Sequence, residues 1–392
     1  MKYLIKKLEK CEIKDFNKDI LNEKYRINYT KELNEEQLRA LTSLEGQYLV
    51  IAGAGSGKTR TVVYRTAFMI EKGIAEENIL MLTFTKKAAL EMKERLENIL
   101  EKGEIEVTIS TFHSLCAELL IKYKNIFGID KLNIIDENRN RTVISLLIRE
   151  YSLKNKNKGD FLSEKRVVEI FGAARSRKKD ISEFLNEKEK AYLEDLEFLK
   201  IKYRRFKKEF QMYDFEDLVE KVLRKLKADK IFLGILKEKY KYVIVDEYQD
   251  TNSIQRELLK ILIGANGNIM AVGDDYQSIY GFRGADFENI LRFGKDFPGS
   301  QMIKLEKNYR SSDEIIEYTN KISKDFLLKY NKNVKGTKRR GENPHTASFL
   351  NEEKQGEFIC RKIVELKEKE IPYEEMAILY RNKYIVYKLK KI

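Results

Sequence analysis

The chain has no tryptophan, and only three prolines, three cysteines and two histidines among its 392 residues. Each scarcity excludes something. The cysteines, Cys11, Cys116 and Cys360, are odd in number, far apart and without a Cys-x-x-Cys pair. Neither a disulfide framework nor a zinc finger is supported, and a reducing, cytoplasmic compartment is expected. With His113 and His345 as the only histidines, general-base histidine chemistry has little to work with. Pro298, Pro344 and Pro372 are isolated, so no proline-rich linker marks a domain boundary. The first ten residues break every apolar run with charge, and no later run is long enough to cross a bilayer. A signal peptide and a membrane partner are therefore not expected.

What is abundant is charge. Lysine and arginine number 76 against 63 acidic residues, a net charge of +13, while 42% of the chain is hydrophobic. That is ample for a buried core. The basic excess points to a polyanionic partner, nucleic acid before membrane, although excess lysine also keeps a protein soluble.

Strand-sized apolar runs recur between long helix-periodic segments. They are Tyr48-Leu-Val-Ile-Ala52, Ile79-Leu-Met-Leu82, residues 105–109, Tyr242-Val-Ile-Val245 and Ile269-Met-Ala-Val272. This alternation predicts an open parallel α/β sheet. Residues 118–213 are lysine-rich and helix-periodic throughout, and read as an all-α insertion between two strands. The alternation resumes after residue 300, with strands expected at 302–305, 346–350 and 377–380 and helices between them. The expected organisation is 1–117 and 214–300 as one α/β domain, 118–213 as its helical insertion, and 301–392 as the beginning of a second α/β domain.

Ala52, Gly53, Ala54, Gly55, Ser56, Gly57, Lys58 and Thr59 form a phosphate-binding loop between a strand and a helix. The glycines let successive backbone N–H groups face phosphate oxygens, and the helix N-terminus adds its positive dipole end. Lys58 would reach the β- and γ-phosphates, and Thr59 would ligate Mg²⁺. Ala52 replaces the usual first glycine. Asp246 and Glu247 end a second apolar strand. Asp246 would hold the metal through water, and Glu247 would orient or deprotonate the attacking water.

Seven motifs follow one another in order: Leu33-Asn-Glu-Glu-Gln37; the loop 52–59; Thr83-Phe-Thr85 with Ala88-Ala89; Ser110-Thr-Phe-His113; Asp246-Glu-Tyr-Gln-Asp-Thr251; residues 273–284; and Asn308-Tyr-Arg-Ser311. That order resembles the UvrD/Rep/PcrA-type DNA helicases of superfamily 1. The resemblance implies an ATP-driven motor moving 3′ to 5′ on single-stranded DNA, its site lying between two RecA-like domains. It implies ATP and Mg²⁺ as cofactors, and single-stranded DNA and single/double-strand junctions as partners.

By the same resemblance, Gln37 reads the adenine while also serving, with Asn34, as a helix N-cap pair. Arg60 contacts nucleotide or is simply a solvated helix arginine. Gln277 senses the γ-phosphate, Tyr309 stacks near the base, and Arg310 places a charge on the γ-phosphate. Phe84, Tyr280 and Phe282 resemble base-stacking residues with Arg283 beside them. Phe282 stands where these enzymes commonly carry tryptophan. Thr111 and His113 resemble DNA-backbone contacts, and Thr111 is equally a helix cap. Basic clusters at 175–179, 200–208 and 335–340 either flank a phosphate track or form solvated faces.

Nothing after Arg310 resembles the two further motifs such an enzyme supplies from its second domain. The expectation is a truncated or split enzyme, whose partner polypeptide would supply them. The alternative is a nucleotide-gated single-stranded-DNA-binding module, or a partner-dependent subunit, without unwinding activity of its own.

Overall fold

Six of the apolar runs form one parallel sheet. The strands are β1 (Gln47–Ala52), β2 (Ile79–Thr83), β3 (Thr108–Thr111), β6 (Tyr242–Val245), β7 (Asn268–Gly273) and β8 (Gln301–Leu305), in the order β3-β2-β6-β7-β1-β8. Two further short strands that the sequence did not announce, β4 (Asn133–Ile134) and β5 (Met212–Tyr213), pair in parallel with each other. The protein is described from a computed structural model, which covers the chain except residues 17–20, 22–24, 155–160, 280, 282–285, 287, 338–339 and 382–392, and for 152–154 gives the backbone alone. It divides into two compact units, 1–340 and 341–392.

Both faces of the sheet are covered. Leu49, Ile51, Leu80, Leu82, Val243 and Val245 pack into one core with the helices Phe112–Lys122, Phe215–Ala228 and Ser253–Ile263. Tyr48, Val50, Met81, Ile244 and Met270 face the other way, into the core shared with the helices Lys58–Glu71 and Lys86–Leu100. A strand buried on both faces has no polar side, which is why these strands read as unbroken apolar runs. β3 begins three residues later than the run at 105–109; Ile105 and Val107 are buried without joining the ladder.

Between β3 and β6 the chain is mostly helical, with two short strands at 133–134 and 212–213. Helices Glu137–Lys154, Glu164–Ser176 and Leu193–Glu209 enclose a separate core that includes Ile144, Val167, Ile170, Leu196 and Leu199. The β4–β5 pair ties its two ends together.

The strand after residue 300 joins the first sheet. β8 pairs along its whole length with β1, from Tyr48↔Gln301 to Ala52↔Leu305, and the first unit continues through residue 340. Strand order in a parallel sheet is set by crossovers, which leave no local mark in the sequence. In the second unit, the helix Glu352–Glu368 is present, but the runs at 346–350 and 377–380 form no ladder among the described residues, and Leu350 and Leu379 are almost fully exposed. An apolar run becomes a strand only when a neighbour satisfies its backbone groups.

Candidate nucleotide site and DNA cleft

All six parallel strands end at one edge, and six of the seven motifs follow their carboxyl ends, where open α/β sheets bind ligands. β1 runs into the phosphate loop. Gly55 and Gly57 have φ of +69° and +81°, a region that strains any residue with a Cβ. A Cβ on Gly55 would lie 2.7 Å from Cβ of Arg310 and 2.8 Å from Oδ1 of Asn308; one on Gly57 would lie 2.7 Å from Nε2 of Gln37. The loop is thus clasped on both sides by residues from distant motifs.

One clasp is the helix Glu35–Thr42. Asn34 and Gln37 form a reciprocal capping box, and the Gln37 amide also donates to the Ser56 carbonyl at 3.0 Å. Cap and loop contact therefore coexist in one side chain. The buried guanidinium of Arg65 donates to the Ala40, Leu41 and Leu44 carbonyls at the far end of this helix. A cation there complements the helix dipole and docks the helix on Lys58–Glu71.

The other clasp follows β8. Asn308 donates to the Ala54 carbonyl at 2.6 Å, and the Tyr309 N–H donates to the Gly55 carbonyl at 2.9 Å. The Asn34 amide donates to the Tyr309 hydroxyl at 2.6 Å, tying the cap of this helix to the corner after β8. Arg310 lies exposed on the loop.

The chemistry converges behind the loop. Lys58 Nζ is 3.4 Å from Glu247 Oε2, and the Thr59 hydroxyl is 3.4 Å from Asp246 Oδ2. Burial, then the neighbouring Glu247 charge, pushes Asp246 up to about 6 against the opposing pull of Lys58. Asp250 is pushed up to about 7 by burial and by Glu247. Asp246 is thus a buried carboxylate short of positive charge beside a hydroxyl, a donor set that suits a hard divalent cation. Mg²⁺ fits there.

Gln249 and Asn308 were not assigned roles from the sequence, although both lie inside quoted motifs. Gln249 donates to Glu247 Oε2 at 2.7 Å and accepts from the Asp274 N–H at 3.0 Å. Gln277 donates to Asp274 Oδ2 at 2.7 Å. Arg60 is held by Glu32 and lies 4.7 Å over the Tyr64 ring.

On the insertion side of the sheet edge lies a cleft of about 1780 Å³, lined by Phe84, Thr111 and His113 and by cations including Arg141, Lys165, Arg204, Lys208 and Arg224. Phe84 is half-buried. Thr111 is buried and caps the helix Phe112–Lys122, accepting from the Ser114 N–H at 3.2 Å. His113 packs on Phe215, with Nε2 3.8 Å from Glu216. Tyr280, Phe282 and Arg283 lie outside the described residues.

Several members of the basic clusters, Lys178, Lys179 and Lys200 among them, are ion-paired, and two are paired deep in the fold. Arg175 is paired with Asp214, Asp217 and Glu220, and Lys207 reaches Asp214 at 2.5 Å and Asp217 at 2.6 Å. This buried hub fastens two insertion helices to the helix Phe215–Ala228. The sequence carries a trace of it: Asp214 and Asp217 have capping-box spacing, and they form that box.

Residues 33–298 match the UvrD/REP helicase N-terminal domain, and residues 303–392 match the UvrD-like helicase C-terminal domain. An ATP-dependent DNA helicase PcrA of Staphylococcus aureus is 35% identical over 355 residues, covering 89% of this chain and 48% of that protein. One from Staphylococcus epidermidis is 33% identical over 357 residues, covering 90% and 48%. The chain spans about half the length of the curated relatives it matches. The first match takes in most of the sheet, with the loop and the acid pair inside it, and the chain belongs to the UvrD/REP helicase family.

Proposed function

We propose that this chain binds ATP on the loop 52–59, hydrolyses it, and couples the cycle to 3′-to-5′ movement on single-stranded DNA and at its junctions with duplex. One geometry carries the reading. The loop lysine and the strand-end base are 3.4 Å apart, with the Thr59–Asp246 pair beside them.

The Lys58 ammonium pairs with the Glu247 carboxylate at 3.4 Å. An arriving γ-phosphate competes for that ammonium and frees Glu247 to accept a proton from water. Loop N–H groups and Lys58 hold phosphate charge without reorganising, which lowers the barrier. Gln37 and Tyr309 border the place for the base, and Arg310 adds a further positive charge at the loop. Thr59 and Asp246 would hold Mg²⁺, which supplies neutralisation of phosphate oxygens. Phe84 offers a sequence-tolerant stacking face in a cleft rich in cations. A cytoplasmic site of action fits the DNA substrate and the unpaired cysteines.

Hydrolysis is expected to rise with single-stranded DNA and to do so less at higher salt, because phosphate contacts release counterions. Partial duplexes with a 3′ or a 5′ tail report polarity. DNA-independent hydrolysis, or preference for the 5′ tail, would contradict the motor reading.

A further inference from the structure

Lys332 lies beyond every motif read from the sequence, in the segment after the helix Asp313–Ser323. Its side chain is 1% exposed. A buried ammonium costs several kcal/mol unless fully partnered, and here the partners are specific. The ammonium donates to Asp274 Oδ1 and, at 2.7 Å, to Asp275 Oδ1, and lies 3.6 Å over the Tyr276 ring.

The segment around it is anchored at both ends. The Tyr330 N–H donates to Asp275 Oδ2 at 2.7 Å, and the fully buried Tyr330 hydroxyl donates to the Ile290 carbonyl at 3.0 Å. Further on, Val334 packs against Gly53 of the phosphate loop, and the Lys335 carbonyl accepts from the Asn308 N–H at 2.7 Å.

Asp274 is the shared element. One oxygen takes Lys332, and the other accepts the Gln277 amide at 2.7 Å. Its own N–H donates to Gln249, whose amide holds Glu247 at 2.7 Å. A lysine serving only to balance charge needs any carboxylate; this one fixes the carboxylate that accepts the γ-phosphate glutamine.

We infer that Lys332 is a positioning residue for ATP hydrolysis, aiming Gln277 through the Asp274 carboxylate. The inference rests on the proposed reading of the site. Without the ammonium, two buried carboxylates are left with no cation between them, and the Asp274 carboxylate loses the contact that fixes its rotation. A turned carboxylate no longer presents its oxygen to Gln277. Nucleotide binding is spared, because the loop N–H groups and Gln37 stand outside this relay, so the loss falls on turnover.

The test uses the whole 392-residue chain. Steady-state hydrolysis with single-stranded DNA, affinity for a non-hydrolysable ATP analogue with Mg²⁺, and thermal melting are measured for wild type, Lys332→Met and Lys332→Met/Asp275→Asn. The double variant removes one charge of each sign, so it restores charge balance and folding but not the aim of Asp274. Both variants are expected to lose about tenfold or more in kcat, with KM and analogue affinity within about twofold of wild type. Wild-type kcat in Lys332→Met, recovery of kcat in the double variant, or affinity falling in step with kcat would overturn the inference. A wild-type chain that binds the analogue but never hydrolyses ATP would instead overturn the reading of the site, and the inference with it.

Discussion

Gly55→Ala perturbs the point where the phosphate loop meets the Asn308-Tyr309-Arg310 corner, and its cost can be worked from the geometry. The backbone stays at φ +69°, where an alanine costs about 1–2 kcal/mol. The new methyl would sit 2.7 Å from Arg310 Cβ and 2.8 Å from Asn308 Oδ1, closer than real contacts allow, so the corner must move. Asn308 then stands to lose its bonds to the Ala54 carbonyl at 2.6 Å and to the Arg310 and Ser311 N–H groups, both at 2.8 Å. At about 0.5–1.5 kcal/mol net each, losing two of them brings the total to about 2–5 kcal/mol. Gly128→Ala is the control. Its φ is +58° and its Cβ would meet nothing within 4 Å, so it carries the backbone cost alone. Urea denaturation of both variants, alongside ATP-analogue affinity, separates the two contributions. Gly55→Ala is expected to be the less stable and to bind nucleotide more weakly, while Gly128→Ala binds normally. Equal destabilisation with unchanged affinity in both would refute the claim that the corner braces the loop.

Arg175→Met leaves Asp214, Asp217 and Glu220 with Lys207 as the remaining hub cation, and is expected to cost about 3–5 kcal/mol in melting or denaturant experiments. Burial pushes Asp214 up, but Arg175 and Lys207 outweigh it and hold the carboxyl at about 2. Its stabilisation is therefore present above the ordinary carboxylate range and lost as pH falls toward 2, so melting followed down the acid limb should show a shallower decline in Arg175→Met than in wild type. Phe84→Ala is expected to weaken single-stranded-DNA binding by about 1–3 kcal/mol without changing its salt slope, because the ring carries no charge. Fluorescence anisotropy across a salt series reads both; an altered slope with unchanged affinity would rule out stacking.

The parts of the fold set by local pattern were legible in the sequence. Doubly buried strands are unbroken apolar runs, and Gly-Lys-Thr after such a run, at the start of a helix, reads as a phosphate loop from local pattern alone. Residues 302–305 were equally legible as a strand, yet their place beside β1 was not, because nothing local names a strand's neighbour. Gln37 could be read as a contact to adenine or as a helix cap; the structure shows the cap and adds a bond to the Ser56 carbonyl that no local pattern announces. Arg175 and Lys207 looked like surface charge because composition cannot distinguish a cation facing solvent from one facing three carboxylates. Lys332 is one of 76 cations with no motif around it; only the fold reveals that Asp274 and Asp275 wait opposite.

The central claim is that Lys58 and Glu247 belong to one ATP-hydrolysing site and divide its work between them. The most direct measurement sets nucleotide binding beside hydrolysis for Lys58→Ala and Glu247→Gln, with single-stranded DNA present. Glu247→Gln keeps size and loses the base, so it should bind ATP with Mg²⁺ about as tightly as wild type while turnover falls by about 10²-fold or more. Lys58→Ala removes the charge that neutralises the transferred phosphate and should lose turnover as well. Near-wild-type hydrolysis in either variant would contradict the account.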